Sequence, residues 1–311
     1  MVGIRSFNMM VLALLIAACN NRPHPQDIKT LELECRFDSV SRGLFVPIKI
    51  DTVSYWFMFD TGSGGSVITD PDLDKIGLKV NRRDSALAAW KGYGKKHFSY
   101  YTEPVSRLIF DMPLKENVKF LADTTVGLSF IGCDVINQFY WWFDFEKFKV
   151  KISNTSFIID DLKDWIQIPF KIVKYKGMKV DLKIGSNWIK NFTFDTGYAK
   201  KEGIDSADGI INAYFRSSRE AGKFHSKLDG KLGETTLICD GGFTTSESRG
   251  GECPIFDSIK INGYVFKNCI IGTFKDESIF DESRKTITLA FVRYFQQMYI
   301  DTGKQIIYLK P

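Results

Sequence analysis

Two stretches in different halves of this chain follow one pattern. Residues 44–69 read Leu44-Phe-Val-Pro-Ile-Lys-Ile-Asp-Thr-Val-Ser-Tyr-Trp-Phe-Met-Phe-Asp60-Thr-Gly-Ser-Gly-Gly-Ser-Val-Ile-Thr. Residues 178–200 read Met178-Lys-Val-Asp-Leu-Lys-Ile-Gly-Ser-Asn-Trp-Ile-Lys-Asn-Phe-Thr-Phe-Asp195-Thr-Gly-Tyr-Ala-Lys. Each is an alternating strand, a polar turn, an aromatic-rich second strand and then Asp-Thr-Gly. Apolar alternation at period two around a short turn predicts a hairpin that feeds a loop. A self-similarity on this scale limits the chain to folds made of two like units.

The ends of the two halves match as well. Phe130-Ile-Gly132-Cys through Asp144 and on to Ile152 closes the first, and Leu289-Ala290 through Asp301 to Leu309 closes the second. Each reads as a short helical piece, an aromatic strand, a turn at the Asp and a last strand. Val105–Phe110, Val118–Leu121, Ser258–Ile261 and Cys269–Phe274 are further strand-like runs, and no long helical period occurs. A polar link around 154–167 divides the halves. The expected fold is mostly β, in two similar lobes over 39–158 and 159–311. A chain of 311 residues fits about two domains.

Asp-Thr-Gly occurs three times, at Asp60, Asp195 and Asp301. The third lies between two strand-like runs, matches the turn at Asp144, and is expected to be a hairpin turn with Gly303 at positive φ. The first two differ, since each begins a half and each follows an aromatic-x-Phe flank. With these loops, the Ile131-Gly132 step and the repeat, the chain resembles the aspartic proteases of the pepsin and retropepsin clan over roughly residues 40–311.

That resemblance implies two β lobes related by a pseudo-twofold axis, with a cleft between them and a peptide or protein as substrate. Asp60 and Asp195 would be the catalytic pair. Two carboxyls about 3 Å apart cannot both ionise, so they share a proton and titrate as a unit. The charged member takes a proton from water as it attacks the peptide carbonyl, and the neutral member donates to the carbonyl oxygen. This chemistry implies no metal and no cofactor. By the same resemblance, Thr61 and Thr196 would bond across the axis, Gly62 and Gly197 would admit backbone close to the carboxyls, and the Ser63 hydroxyl would donate to Asp60. Trp90-Lys-Gly-Tyr93 is the candidate tip of a flap, the alternative being an unrelated exposed loop. Two departures fall in the second half: Tyr198 stands where Ser, Thr or Ala is usual, and Leu289-Ala290 lack the glycine of the Ile131-Gly132 step.

The N-terminus adds a location. Arg5 precedes an apolar run, Met9–Ala18, which is too short to span a bilayer and reads as a secretory signal. Ile16-Ala17-Ala18-Cys19 resembles a bacterial lipobox, implying cleavage after Ala18 and a lipid on Cys19. The organisation expected is therefore a signal over 1–18, the lipidated Cys19 with a polar tether over 19–38, and then the two lobes. The chain would sit in the cell envelope, membrane-anchored on the outer membrane through Cys19; ordinary secretion with a free Cys19 is the alternative. Cys35, Cys133, Cys239, Cys253 and Cys269 remain. Cys239 and Cys253 could bridge a Gly-rich stretch or stay as separate thiols.

The other function classes are weaker. Lys plus Arg number 42 and Asp plus Glu 37, a net +5 over the whole chain, which gives nucleic acid little to bind. Three histidines, His24, His97 and His225, exclude most multi-histidine metal sites. There is no Gly-x-Ser-x-Gly elbow, no P-loop and no His-Glu-x-x-His. Two alternatives to a monomeric endopeptidase stay open. One is an inactive relative that holds a peptide or partner in the cleft. The other is a glycan-binding surface lipoprotein that uses the stripe Tyr140-Trp141-Trp142-Phe143.

Overall fold

The computed structural model describes residues 29–38, 43–50, 53–89, 96–108, 112–123, 127–174, 176–197, 209–215, 217–239, 251–275 and 284–311. The protein is all-β in character, and its helices are short. In the first half the strands are β1 (Thr30–Glu34), β2 (Arg36–Phe37), β3 (Leu44–Ile50), β4 (Val53–Phe59), β5 (Val67–Ile68), β6 (Val80–Ala89) and β7 (Lys96–Thr102). They continue with β8 (Val105–Leu108), β9 (Met112–Val118), β10 (Leu121–Ala122), β11 (Phe130–Ile131), β12 (Tyr140–Asp144) and β13 (Lys149–Ser153). Helix α1 (Asp70–Ile76) follows β5, and α2 (Cys133–Ile136) follows β11.

The second half runs β14 (Ile166–Val173), β15 (Gly177–Ile184), β16 (Asn187–Phe194), β17 (Ile211–Phe215), β18 (Gly230–Cys239), β19 (Gly251–Ile261) and β20 (Tyr264–Lys275). It ends with β21 (Arg284–Ile287), β22 (Gln297–Asp301) and β23 (Ile306–Lys310); α3 (Ser218–His225) follows β17 and α4 (Leu289–Val292) follows β21. The Ser217 side chain caps α3 by accepting the Glu220 N–H.

The repeat extends to the hydrogen-bonding order of the sheets. The first half pairs its strands as β2-β3-β4-β11-β5-β10-β7-β6, and the second as β14-β15-β16-β21-β17-β20-β19-β18. The senses agree position by position. Strand β4 lies parallel to β11 as β16 does to β21, and β5 lies parallel to β10 as β17 does to β20. Between the two sets, β13-β12-β22-β23 forms a shared ribbon, joined by the antiparallel pair β12–β22.

Residues 30–37 correct the expected extent of the tether. Their pattern Thr-Leu-Glu-Leu-Glu is polar in composition but alternating in order. Leu31 and Leu33 pack on the core, while Glu32 and Glu34 lie opposite Lys151 and Lys149 across the β1–β13 pair. Strands β1 and β2 together do the work of β14, the first pairing with the ribbon and the second with the hairpin strand.

Aromatic side chains from the ribbon lie under the Asp60 loop. Trp141 and Phe143 are fully buried, and both meet the Phe59 ring edge-on, at 4.9 and 5.0 Å between centroids. Burying each such ring contributes about 1.5–3 kcal/mol. Tyr140 and Trp142, on the other face of β12, pack against Phe157, Trp165, Tyr299 and Tyr308. The stripe proposed for sugars is therefore divided between two packed clusters, because alternation in a strand sends neighbours to opposite faces.

The third Asp-Thr-Gly is a turn. Asp301 Oδ1 accepts the Lys304 N–H at 2.9 Å, as Asp144 Oδ1 accepts that of Lys147 at 3.0 Å. The left-handed residues are Gln305 (φ 57) and Phe148 (φ 53), not Gly303. A β-carbon on Gly303 would instead lie 2.5 Å from the Tyr140 hydroxyl, so packing is what requires glycine here.

Cys35, Cys133 and Cys269 are free and buried, whereas Cys253 is disulfide-bonded. Cys239 closes the neighbouring strand β18; Cys19 lies outside the described residues. Among the described residues no helix is long and apolar enough to cross a membrane.

Candidate active site

Strands β4 and β16 each end one residue before an aspartate. The Asp60 N–H donates to the Ile131 carbonyl at 3.0 Å, and the Asp195 N–H to the Ile287 carbonyl at 2.9 Å. Each loop is thus fixed to the parallel strand beside it, β11 or β21.

The threonines then join the loops. The Thr61 N–H donates to Thr196 Oγ1 at 3.2 Å, and the Thr196 N–H to Thr61 Oγ1 at 3.1 Å. The Thr61 hydroxyl donates to the Phe194 carbonyl at 2.7 Å, and the Thr196 hydroxyl to the Phe59 carbonyl at 2.5 Å. Both threonines are fully buried. The chain also closes on the first loop through the Met178 N–H, which donates to the Thr61 carbonyl at 2.8 Å.

This lattice brings Asp60 and Asp195 together, close enough for each carboxyl to act on the other's titration. The Gly62 and Ser63 N–H groups donate to Asp60 Oδ1 at 2.8 and 3.1 Å, and the Gly197 N–H to Asp195 Oδ1 at 3.1 Å. The glycines lie against the opposite half's carboxyl. A β-carbon on Gly62 would be 2.3 Å from Asp195 Cγ, and one on Gly197 would be 2.3 Å from Asp60 Cγ.

The pair is electrostatically unequal. Burial, and then the Asp195 charge, push the Asp60 carboxyl well above the usual carboxylate range. Burial also raises Asp195, but the Arg284 guanidinium and the Lys179 ammonium both draw it back down. One shared proton is favoured on Asp60 and the negative charge on Asp195. Among the described residues no cluster of three or more His, Cys, Asp or Glu could hold a metal ion.

Two expectations need correction. The Ser63 hydroxyl does not donate to Asp60. It donates to the Gly65 carbonyl at 2.7 Å, because the loop turns its backbone N–H groups, not this side chain, toward the carboxyl. The glycine step of the first half also has its second-half match at Ile287-Thr288 rather than Leu289-Ala290. Gly132 caps α2, where a β-carbon would be 2.4 Å from the Gly65 carbonyl. Thr288 caps α4 and uses its side chain, whose hydroxyl donates to the Gly209 carbonyl at 2.6 Å and accepts the Ala290 N–H at 3.2 Å.

Trp90, Tyr93, Tyr198 and Cys19 lie outside the described residues; β6 and β7, which flank the proposed flap tip, pair antiparallel up to Ala89 and Lys96. Sequence reasoning missed Ser66, Asp134, Lys179 and Arg284. Asp134 accepts from the Ser66 hydroxyl at 2.6 Å and from its N–H at 3.0 Å, and Ser66 Oγ accepts the Gly132 N–H at 3.0 Å. Aligning the repeats would have drawn notice to Lys179, which stands where the first half has Phe45.

The fold has a distant neighbour among solved structures. A retropepsin-like aspartic protease from Rickettsia conorii matches at 14% identity and a TM-score of 0.31, over 42% of this chain and 95% of its own. No family model matches the sequence, and neither does any curated protein.

Proposed function

We propose that this protein is an aspartic endopeptidase in which Asp60 and Asp195 activate a water molecule against a peptide bond. The observation that carries the reading is the reciprocal loop lattice, in which the threonines and glycines of each half complete the carboxyl site of the other. With Asp195 charged and Asp60 protonated, Asp195 takes a proton from the water as its oxygen bonds to the carbonyl carbon. Asp60 gives its proton to the carbonyl oxygen, forming a neutral tetrahedral diol. Collapse of the diol, with proton transfer to the amine, breaks the C–N bond and regenerates the singly protonated pair. Fixing both carboxyls by buried backbone contacts lowers the reorganisation this sequence requires.

The proposal extends to location: a lipid on Cys19, with the polar segment before β1 as the tether, would hold the enzyme in a bacterial envelope. The test uses residues 20–311 and a diverse peptide pool, with products read by mass spectrometry. Cleavage by the unaltered chain that disappears in both Asp60→Asn and Asp195→Asn is the expected result. Cleavage that survives Asp195→Asn would remove Asp195 from the chemistry. Lipidation is tested apart from this, by fatty-acid labelling of the full chain and its loss in Cys19→Ser.

A further inference from the structure

The two carboxyls stand on matching sheets whose rows beside the carboxyls, buried except at Leu121 and Lys179, differ in chemistry. Met58 lies two residues before Asp60 and Thr193 two before Asp195, so each projects from the same strand face as its carboxyl. Following the pairing outward from Met58 gives the row Phe45, Met58, Phe130, Val67 and Leu121. The same walk from Thr193 gives Lys179, Thr193, Thr286, Asn212 and Gly272. Every apolar side chain of the first row is replaced in the second by a polar one or by glycine.

The surroundings differ in the same sense. Phe45, Met58, Val67 and Phe130 form one small apolar cluster, edged by Leu121 and Leu128, which are half-buried. Arg284 occupies the place of Leu128, two residues before Thr286 as Leu128 is before Phe130, and is also half-buried. Lys179 donates to Thr193 Oγ1 and, with Arg284, acts directly on the Asp195 charge. The Thr286 hydroxyl, 0% exposed, has no hydrogen-bond partner among the described residues.

We propose that the peptide bond cleaved lies between an apolar residue, seated beside Met58 and Phe130, and an acidic residue, whose carboxylate is held by Lys179 and Arg284. The inference rests on the endopeptidase reading above and supplies its substrate class. Lys179 is suited to this task because it borders Asp195 and stays protonated in acidic solution, although burial and neighbouring cations have lowered its pKa to about 8.

The experiment compares two peptides that differ only in Glu against Gln beside one scissile bond to an apolar residue, alongside the unbiased pool. For the unaltered protein, pool sites pairing Leu, Met or Phe with Asp or Glu are expected, with the Glu peptide cleaved roughly tenfold better or more in kcat/KM, the scale of a charge-assisted hydrogen bond. Lys179→Met and, separately, Arg284→Met should collapse that ratio. A structural role alone would lower both peptides together. Cleavage of the pool with no acidic preference, or an unchanged ratio in both variants, overturns this inference and leaves the endopeptidase reading standing. Failure of the folded, unaltered protein to cleave any peptide overturns both.

Discussion

Gly62 and the Asp195 carboxyl are in such close contact that no side chain fits between them: a β-carbon on the glycine would lie 2.3 Å from Asp195 Cγ and within 2.6 Å of both of its oxygens. Gly197 stands in the same relation to Asp60. Gly62→Ala is therefore expected to displace Asp195 rather than merely crowd it. A shift of about 1 Å at such a site costs on the order of 100-fold in rate. Steady-state cleavage by Gly62→Ala and Gly197→Ala should fall by at least that much, and loss confined to one variant would contradict the reciprocity.

The threonine lattice makes a stability prediction. Thr61→Val keeps the shape but removes the hydroxyl that serves the Phe194 carbonyl and the Thr196 N–H. Each buried group left without a partner costs about 1–3 kcal/mol. With two groups stripped in each case, urea unfolding should show a loss of about 2–6 kcal/mol for Thr61→Val and likewise for Thr196→Val. The double variant should lose less than the two summed, because the residues share one network.

Stability should also depend on pH through the carboxyls. An aspartate in the unfolded chain titrates near pH 4, but in the folded protein both are raised. The folded state then binds more protons than the unfolded state above about pH 4. The stabilisation contributed by the neutral form is complete below that pH and is lost as pH rises toward the raised folded values. Asp60→Asn should flatten this decline. The measurement is the unfolding midpoint of both proteins across the acidic range, and parallel curves would count against a raised Asp60.

A kinetic consequence follows from the inequality of the pair. Asp195 is the more readily ionised member because Arg284 draws its pKa down, and the acid limb of the pH–rate profile reports that ionisation. Arg284→Met should move this limb to higher pH. An acid limb that stays in place would mean that the charge does not reside on Asp195.

Ser66 supports the first loop from behind. Ser66→Ala removes a 2.6 Å bond to Asp134 and the acceptor of the Gly132 N–H. A loss of about 2 kcal/mol in unfolding free energy is expected, larger than for substitution of Ser63, whose hydroxyl faces only its own turn.

Much of this arrangement is legible in the chain because the repeat is local. The hairpins β3–β4 and β15–β16 are written in alternation and end at the triplets, and the third triplet is recognisable as a turn from its position. What the sequence conceals is long-range. Nothing near Asp60 says that Ile131 will lie beside it in a parallel pair, and nothing near Asp195 says that Ile287 will. The error over residues 30–37 has the same source: a strand with one wet face looks like a linker until its partner, β13, is known. The offset of Thr288 against Gly132 arose because capping fixes the start of α4, and capping is performed by glycine in one half and by a hydroxyl in the other. Lys179 and Arg284 escaped notice because only the sheet register shows them to be neighbours of a carboxyl.

The matched sheets set unequal freedom on the two halves. At the loops, each half is the other's template, so a change on one side of the junction must be answered on the far side or the site is lost. The rows flanking the carboxyls carry no such mutual obligation. A Phe in one and a Lys in the other leave the junction untouched, and the two sides of the molecule are free to learn different alphabets around one shared pair of carboxyls.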